Sequence, residues 1–181
     1  GTYWQYNEVV VEPPSNQKPH PQIWMGAGSP RSVKQVAQLG FNMLLGQFDS
    51  FEMIAEEVAL FKSEVESLGR VFDPMSVAVA RSVNLVDSTA EYDQALESRM
   101  AARRRTQNLA LRPDFQDTRD SAEAGTIYGS PDQVSEKIQA LHDIGIEYVL
   151  LNAPAGISTL RRFAEDVMPG FPGDNQAAAK R

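Results

Sequence analysis

The sequence predicts an α/β fold made of four parallel β/α units, which is half of an eight-unit barrel. Short apolar or β-branched runs alternate with amphipathic stretches of helical period along most of the 181 residues. Several of the helical stretches begin at a serine and end at a glycine, as helices commonly do. Strands that alternate with helices usually pair in parallel. Periodicity alone leaves a small open parallel sheet as the alternative architecture.

An N-terminal β ribbon is the first predicted element. Residues 2–11 alternate in character and end in a β-branched run, and prolines at positions 13 and 14 close the segment. A connector that contains His20 then leads to the first buried strand. We expect Trp4, in the ribbon, and Trp24, in this strand, to lie in the core.

Four strands and the helices that follow them form the predicted units. The strands are predicted at residues 23–25, 41–46, 77–86 and 146–151. The helices are predicted to start at the N-cap signatures of residues 29–30, 49–52, 88–91, 130–131 and 158. The last strand is almost continuously apolar, which predicts that both of its faces are covered. The final helix is predicted to bury Leu160, Phe163, Ala164 and Val167.

A long segment before the fourth of these helices lacks any period. Residues 108–128 are polar and irregular, and loops longer than ~15 residues in compact domains usually have a function or are disordered. We predict a mobile lid loop here. The predicted domain covers residues 1–171, and residues 172–181 are predicted to be a flexible tail.

Composition narrows the classes of function. The net charge of −7 argues against a nucleic-acid partner, and the basic run at residues 103–105 is interpreted as a solvated helix face. No apolar run approaches the ~20 residues that a membrane span requires. The absence of cysteine excludes disulfides and thiolate metal ligands and fits a cytoplasmic protein. His20 and His142 are far apart in the sequence, so no metal site is predicted.

The most informative stretch joins the first strand to the first helix. The first turn of a helix has backbone N–H groups without helical partners, which favour a bound anion. Gly28 allows close approach of the backbone, the hydroxyls of Ser29 and Ser32 can donate, and Arg31 adds charge. A phosphate monoester is the expected occupant. The alternative is a plain strand-to-helix turn in which Ser29 caps its own helix, and spacing does not separate the two.

Three stretches together resemble one family. Residues 18–30, KPHPQIWMGAGSP, resemble the P-P-I-W-V-G-G-x-S-P segment of bacterial luciferase-like monooxygenases, and Ala37 to Gly40 resembles their Ala-x-x-Gly helix end. Residues 129–134, GSPDQV, resemble their G-T-P-E-Q-V helix start, and residues 160–171 resemble their closing helix. The matches follow the family's order along nearly the whole chain. The resemblance implies the C-terminal half of a (β/α)8 TIM-type barrel.

The resemblance also implies a cofactor and partners. The family uses reduced FMN, or deazaflavin F420 in one branch, usually with a separate flavin reductase and a small organic substrate. The family's phosphate-binding positions fall on Gly28, Ser29 and Ser32, and a position against the isoalloxazine falls on Gln47. The lid corresponds to the family's mobile loop, so Arg112 or Arg119 is a candidate to close over the ligand.

Departures from the family and a competing function remain open. Ser82 and Ala153 stand where the alkanesulfonate branch has histidine and tyrosine, which argues against that substrate. The loop at residues 152–156 is expected to form a substrate wall or a second anion site. The catalytic acid–base residue is unknown, and we expect this chain alone to be inactive. The competing hypothesis is a non-catalytic half-barrel that forms a homodimer through open strand edges and binds a phosphorylated ligand.

Overall fold

The computed structural model describes residues 2–10, 12–107, 118–153 and 155–171. Within these ranges the strands are β1 (Trp24–Gly26), β2 (Asn42–Leu45), β3 (Val77–Leu85), β4 (Thr126–Gly129) and β5 (Tyr148–Asn152). The helices are α1 (Pro30–Leu39), α2 (Phe51–Ser67), α3 (Thr89–Gln107), α4 (Arg119–Ala124), α5 (Pro131–Asp143) and α6 (Ile157–Asp166). No helix in the described part of the chain is long and apolar enough to cross a membrane.

All strand pairs in the sheet are parallel, and most follow chain order. β1 pairs with β2, and β2 pairs with residues 77–79 of β3. β5 pairs with residues 78–82 of the same strand, so β2 and β5 lie on opposite edges of β3. The resulting order β1-β2-β3-β5 confirms the predicted series of four parallel β/α units. The short strand β4 pairs with the carboxyl end of β3.

The hydrophobic core lies between one face of this sheet and the helices. Alternate residues of the strands point to the same face, so they can contribute to a single layer. The buried strand residues include Met43, Leu45, Val77, Val79, Val83 and Ile127. The helices contribute Val33, Val36, Ile54, Val58, Phe61, Val134 and Leu141. This layer resembles the outer layer of a β/α barrel.

The opposite face of the sheet is concave and incompletely covered. The rings of Trp24 and Tyr148, on the outermost strands of the series, meet edge to face with centroids 5.4 Å apart. Side chains standing straight up from a flat sheet would be about three strand spacings of ~4.8 Å apart, so the sheet curls toward this face. Tyr148 remains 39% exposed and Leu150 40% exposed. The expectation that β5 is covered on both faces is therefore wrong for the described residues: Val149 and Leu151 pack on the core, and their neighbours do not.

The predicted N-terminal ribbon does not form. Residues 2–10 contain no strand, and Trp4 is 73% exposed rather than part of the core. An alternating segment becomes a strand only when an edge pairs with it, and no described strand pairs with this one. Trp24 is half-buried, because it packs against Tyr148.

The predicted lid is partly regular structure. Its last residues form α4 and β4, and Thr118 caps α4 through reciprocal hydrogen bonds with Ser121. Both elements are too short to show a period in the sequence, which is why they were not predicted. The remaining residues, 108–117, lie outside the described part of the chain, as does the predicted tail at residues 172–181.

The predicted helix starts are confirmed for α1 and α5, where Ser29 and Ser130 form capping boxes. At α2 the cap is Ser50 rather than Asp49, because the hydroxyl of Ser50 accepts the N–H of Met53. At α6 the predicted cap, Ser158, is wrong: the helix starts after Gly156 and has no side-chain cap. Its predicted buried face is also wrong in part, since Leu160 and Ala164 are exposed while Phe163 and Val167 pack on the core.

Candidate active site at the carboxyl edge of the sheet

A cleft of about 800 Å³ opens where the strands end. Gln47 and Phe48, just after β2, form part of its wall, together with Ser82 and Asn84 of β3 and Asn152 of β5. Helices α3 and α6 supply further walls. The carboxyl ends of parallel strands meet at one edge, so polar groups from separate parts of the sequence converge there. Ligands bind at this edge in β/α barrels.

The structure separates the predicted cofactor residues into two groups. Gln47 lies in the cleft wall, whereas Gly28, Ser29, Arg31 and Ser32 lie at the start of α1 and do not line the cleft. Asn152 and Ala155 of the predicted substrate wall do line it.

Hydrogen bonds within the Ser29 turn already use its main donors and acceptors. The Ser32 hydroxyl oxygen accepts the N–H groups of Gly28 and Ser29 at 3.3 and 3.1 Å. The Ser29 hydroxyl oxygen accepts the N–H of Ser32 at 3.3 Å. These are the bonds of the self-capping turn. Phosphate binding at this turn stays a prediction and would require a phosphate to replace some of them.

Of the two polar side chains on the concave face of β3, Ser82 was named from the sequence only through the family resemblance, and Asn84 was not identified. Asn84 accepts a long hydrogen bond of 3.5 Å from the hydroxyl of Thr159, which is buried. Ser82 hydrogen-bonds the hydroxyl of Tyr128, while burial raises the pKa of that tyrosine above its usual value of 10. The Tyr128 phenol therefore stays neutral near pH 7. Strand alternation would have placed positions 82 and 84 on one face, but not the partners that they meet there.

Arg81 holds the loop that carries Gln47 and Phe48. Its side chain is completely buried, and its guanidinium donates to the carbonyl oxygens of Gly46 and Asp49 at 2.9 and 2.8 Å. Desolvation lowers its pKa from 12.5 to about 10, an effect that nearby Asp49 opposes. The side chain is still charged at neutral pH, so it fastens both ends of the loop. The sequence signal was a lone arginine within an apolar strand.

Two arginines of α3 lie over the ring of Phe48 in the cleft. The guanidinium carbons of Arg99 and Arg103 are 5.5 and 3.7 Å from the ring centroid. A third arginine of the cleft, Arg162 of α6, donates to both carboxylate oxygens of Asp87 at 2.9 and 3.1 Å. The interpretation of the basic run as a solvated face is therefore wrong for Arg103, which lines the cleft, whereas Arg104 is exposed.

The lid arginines and the histidines have other positions. Arg119 lies in α4 and forms ion pairs with Asp93 and Glu123, so the prediction that it closes over a ligand is not supported. Arg112 lies outside the described residues. His20 and His142 are exposed, in agreement with a structural or surface role.

Comparison with known proteins identifies the fold and the family. The structure superposes on a monooxygenase, RslO1, from Streptomyces bottropensis with a TM-score of 0.72 and 22% identity, covering 95% of this chain and 55% of that one. It also superposes on the oxygenating constituent of 3,6-diketocamphane monooxygenase of Pseudomonas putida, solved with FMN, with a TM-score of 0.61 and 19% identity over 83% of this chain and 49% of that one.

A third solved structure of this fold depends on a different cofactor. The coenzyme F420-dependent tetrahydromethanopterin reductase of Methanopyrus kandleri has a TM-score of 0.55 and 18% identity, covering 82% of this chain and 50% of that one. The chain thus spans about half the length of these structures. A model of the luciferase-like monooxygenase family matches residues 1–148. The chain therefore belongs to the luciferase-like monooxygenase family.

Proposed function

We propose that this chain supplies the C-terminal half of the active site of a flavin-dependent monooxygenase that uses reduced FMN and oxygen. The observation that carries the proposal is the cleft of about 800 Å³ at the carboxyl edge of the strands, in a chain of this family. The other walls of the site come from the remaining β/α units of the barrel. Because this chain spans about half the length of its structural neighbours, it is expected to bind flavin weakly and to be inactive on its own.

The cleft residues fit a flavin. A flavin ring is flat and has hydrogen-bonding groups along its edge, so it needs apolar surface together with a few precisely placed polar groups. The side chains of Gln47, Asn84 and Asn152 offer amide donors and acceptors from three strands, and Phe48 and Tyr128 offer aromatic surface. Gln47 is assigned to the ring, and Ser29 and Ser32 to the phosphate.

Reduced flavin would supply the electrons with which oxygen is activated, and the protein would supply binding and orientation. Arg81 fixes the loop at Gly46 and Asp49, so Gln47 keeps one position relative to the strand ends. Tyr128 and Thr159 are buried beneath the cleft and present hydroxyl groups that are neutral near pH 7. The sequence assigns no general acid or base.

A flavin titration tests the proposal. Fluorescence quenching of FMN would be measured with this chain and with a natural form long enough to contain all eight units. Micromolar binding by the longer form alone is the expected result. Equal binding by both forms, or binding by neither, would contradict a half-site. The same titration with F420 separates the alternative of an F420-dependent oxidoreductase, which the Methanopyrus kandleri neighbour favours.

A double variant tests the phosphate assignment. Ser29→Ala with Ser32→Ala should weaken FMN binding but leave riboflavin binding unchanged. The capping box at α1 is lost as well, at a cost of about 0.5–2 kcal/mol, so stability must be compared with a matched cap removal. Ser130→Ala at the start of α5 removes an equivalent cap away from the proposed phosphate site. Equal FMN affinity in the two variants would disprove the assignment.

A second candidate function is supported by the concave face. Tyr148 and Leu150 expose apolar surface there, and β1 and β5 each have one edge that no described strand pairs with. A half-barrel that dimerises through these edges would cover both features. Sedimentation of the flavin-free chain as a stable dimer, with no FMN binding, would favour this function. The flavin reductase, the organic substrate and a cytoplasmic location belong to the first proposal.

A further inference from the structure

The cleft differs in charge from the rest of the chain. The chain carries a net charge of −7, yet among the described residues three arginines and one carboxylate residue, Glu91, line the cleft. The Glu91 carboxylate already accepts the N–H of Asp87 at 2.8 Å, at the start of α3. Arg162 is matched by the carboxylate of Asp87. The two other arginines of the cleft, Arg99 and Arg103, belong to α3.

Arg99 is the least satisfied of these cleft residues. Its Nη1 atom is buried and donates to no hydrogen-bond acceptor among the described residues. A buried donor without a partner costs folding free energy, and the cost is larger for a charged group. Such a group calls for an explanation, and a ligand that supplies the acceptor is a direct one. The location in the cleft wall makes that ligand the molecule that binds there.

The ring of Phe48 holds Arg99 and Arg103 side by side. The two residues are four positions apart in α3, and residues at this spacing lie on the same helix face. An arginine stacked on an aromatic ring is oriented, and its planar fork matches a carboxylate or phosphate in two hydrogen bonds. Arg103 adds charge at the same place.

We propose that Arg99, supported by Arg103, binds an anionic group of the organic substrate: a carboxylate or a phosphate. The assignment of the anion to a substrate rests on the proposed function. The anion subsite itself does not depend on flavin binding. The Ser29 turn assigned to the flavin phosphate does not line the cleft, so the two anions occupy different places.

Calorimetry with matched ligands tests the subsite on the flavin-free protein. The probes are octyl phosphate, octanoate and the uncharged octanol. We expect both anions to bind about tenfold to a hundredfold more weakly to Arg99→Gln than to the wild type, since an oriented, charged hydrogen-bond pair is lost. Octanol should bind both proteins equally. Arg104→Gln removes the same charge from an exposed position of α3 and should behave like the wild type. Equal anion affinity in wild type and Arg99→Gln would overturn the proposal.

Two further measurements separate the alternatives. FMN and riboflavin are titrated into the longer form that contains all eight units, with and without the same substitutions, and a loss of FMN affinity alone in Arg99→Gln would show that the anion is the flavin phosphate, which overturns the substrate assignment. Melting temperature distinguishes a binding role from a structural one. Because Arg99 Nη1 is unsatisfied, Arg99→Gln should melt at the same temperature as the wild type or higher. A lower melting temperature with unchanged anion affinity would contradict the proposal. Failure of FMN binding in every variant of that longer form, with the anion effect intact, would refute the flavin function and leave the subsite.

Discussion

Replacing Arg81 by methionine removes the contacts that hold the loop between β2 and α2. The wild-type guanidinium donates to the carbonyls of Gly46 and Asp49 at 2.9 and 2.8 Å, and both bonds lie at a completely buried side chain. Methionine has similar length and apolar character but no donor. The substitution therefore tests the hydrogen bonds while it keeps much of the packing.

The magnitude follows from these two bonds and one opposing effect. A hydrogen bond to a charged group contributes about 1.5–3 kcal/mol net, so two bonds contribute about 3–6 kcal/mol. The desolvation that lowers the pKa of Arg81 to about 10 shows that burying its charge is costly, and methionine avoids that cost. We therefore expect Arg81→Met to lower the free energy of unfolding by about 2–4 kcal/mol.

Urea denaturation followed by circular dichroism measures this change. Arg161→Met, at an exposed position of α6, is the control and should change the unfolding free energy by less than about 0.5 kcal/mol. Arg81→Lys keeps the charge but cannot present two forked donors, so its loss should be intermediate. If Arg81→Met unfolds at the same urea concentration as the control, the loop is not held in the way described.

Three other predictions concern separate parts of the molecule. Gly129→Ala should destabilise the protein by about 1–3 kcal/mol, because φ is +151° and a Cβ would lie 2.8 Å from the Cβ of Gln133. The control Gly170→Ala places its Cβ in open space and should be almost neutral in the same urea titration. Tyr128→Phe should reduce the loss of stability above pH 10: burial raises the folded pKa of Tyr128, so the unfolded state binds fewer protons there and the wild type loses stability as pH rises. Melting temperatures from pH 8 to 11 that fall in parallel would contradict this. Leu150→Lys should reduce self-association of the chain in sedimentation experiments, because Leu150 is 40% exposed on the concave face, and an unchanged association constant would exclude that face.

The repeating β/α pattern was predictable because each element carries its own local signal. The Ser29 cap and the apolar runs of the strands can each be recognised within a few residues of sequence. Helices α1 and α5 start at their predicted serine caps. The prediction of a ribbon at residues 2–10 failed because an alternating sequence does not show whether a neighbouring strand edge is available for pairing. Strand β4 and helix α4 were not predicted because four and six residues are too few to show a hydrophobic period.

The candidate site was less predictable because its residues interact over long sequence distances. Gln47 came from family resemblance, and the structure places it in the cleft. Arg81 contacts a loop 32 to 35 residues away, and Arg99 meets Phe48, which is separated from it by two elements of the chain. No local pattern encodes such pairs. The lone arginine in an apolar strand was the one available signal, because a buried charge needs partners.

Buried Arg81 and half-buried Arg99 also interact, which connects the loop to the proposed anion subsite. Burial is the main reason that the pKa of Arg81 is lowered. The carboxylate of Asp49 raises this pKa, the repulsion from Arg99 lowers it by a smaller amount, and Glu57 raises it again. An anion bound at Arg99 would relieve that repulsion and would strengthen the hold of Arg81 on the loop that carries Gln47. Binding to the folded state alone raises stability by mass action, so octanoate should raise the melting temperature of the wild type. The increase should be smaller in Arg99→Gln and, because of the coupling, smaller also in Arg81→Met. An equal increase in Arg81→Met and wild type would show that the loop clamp and the subsite are independent.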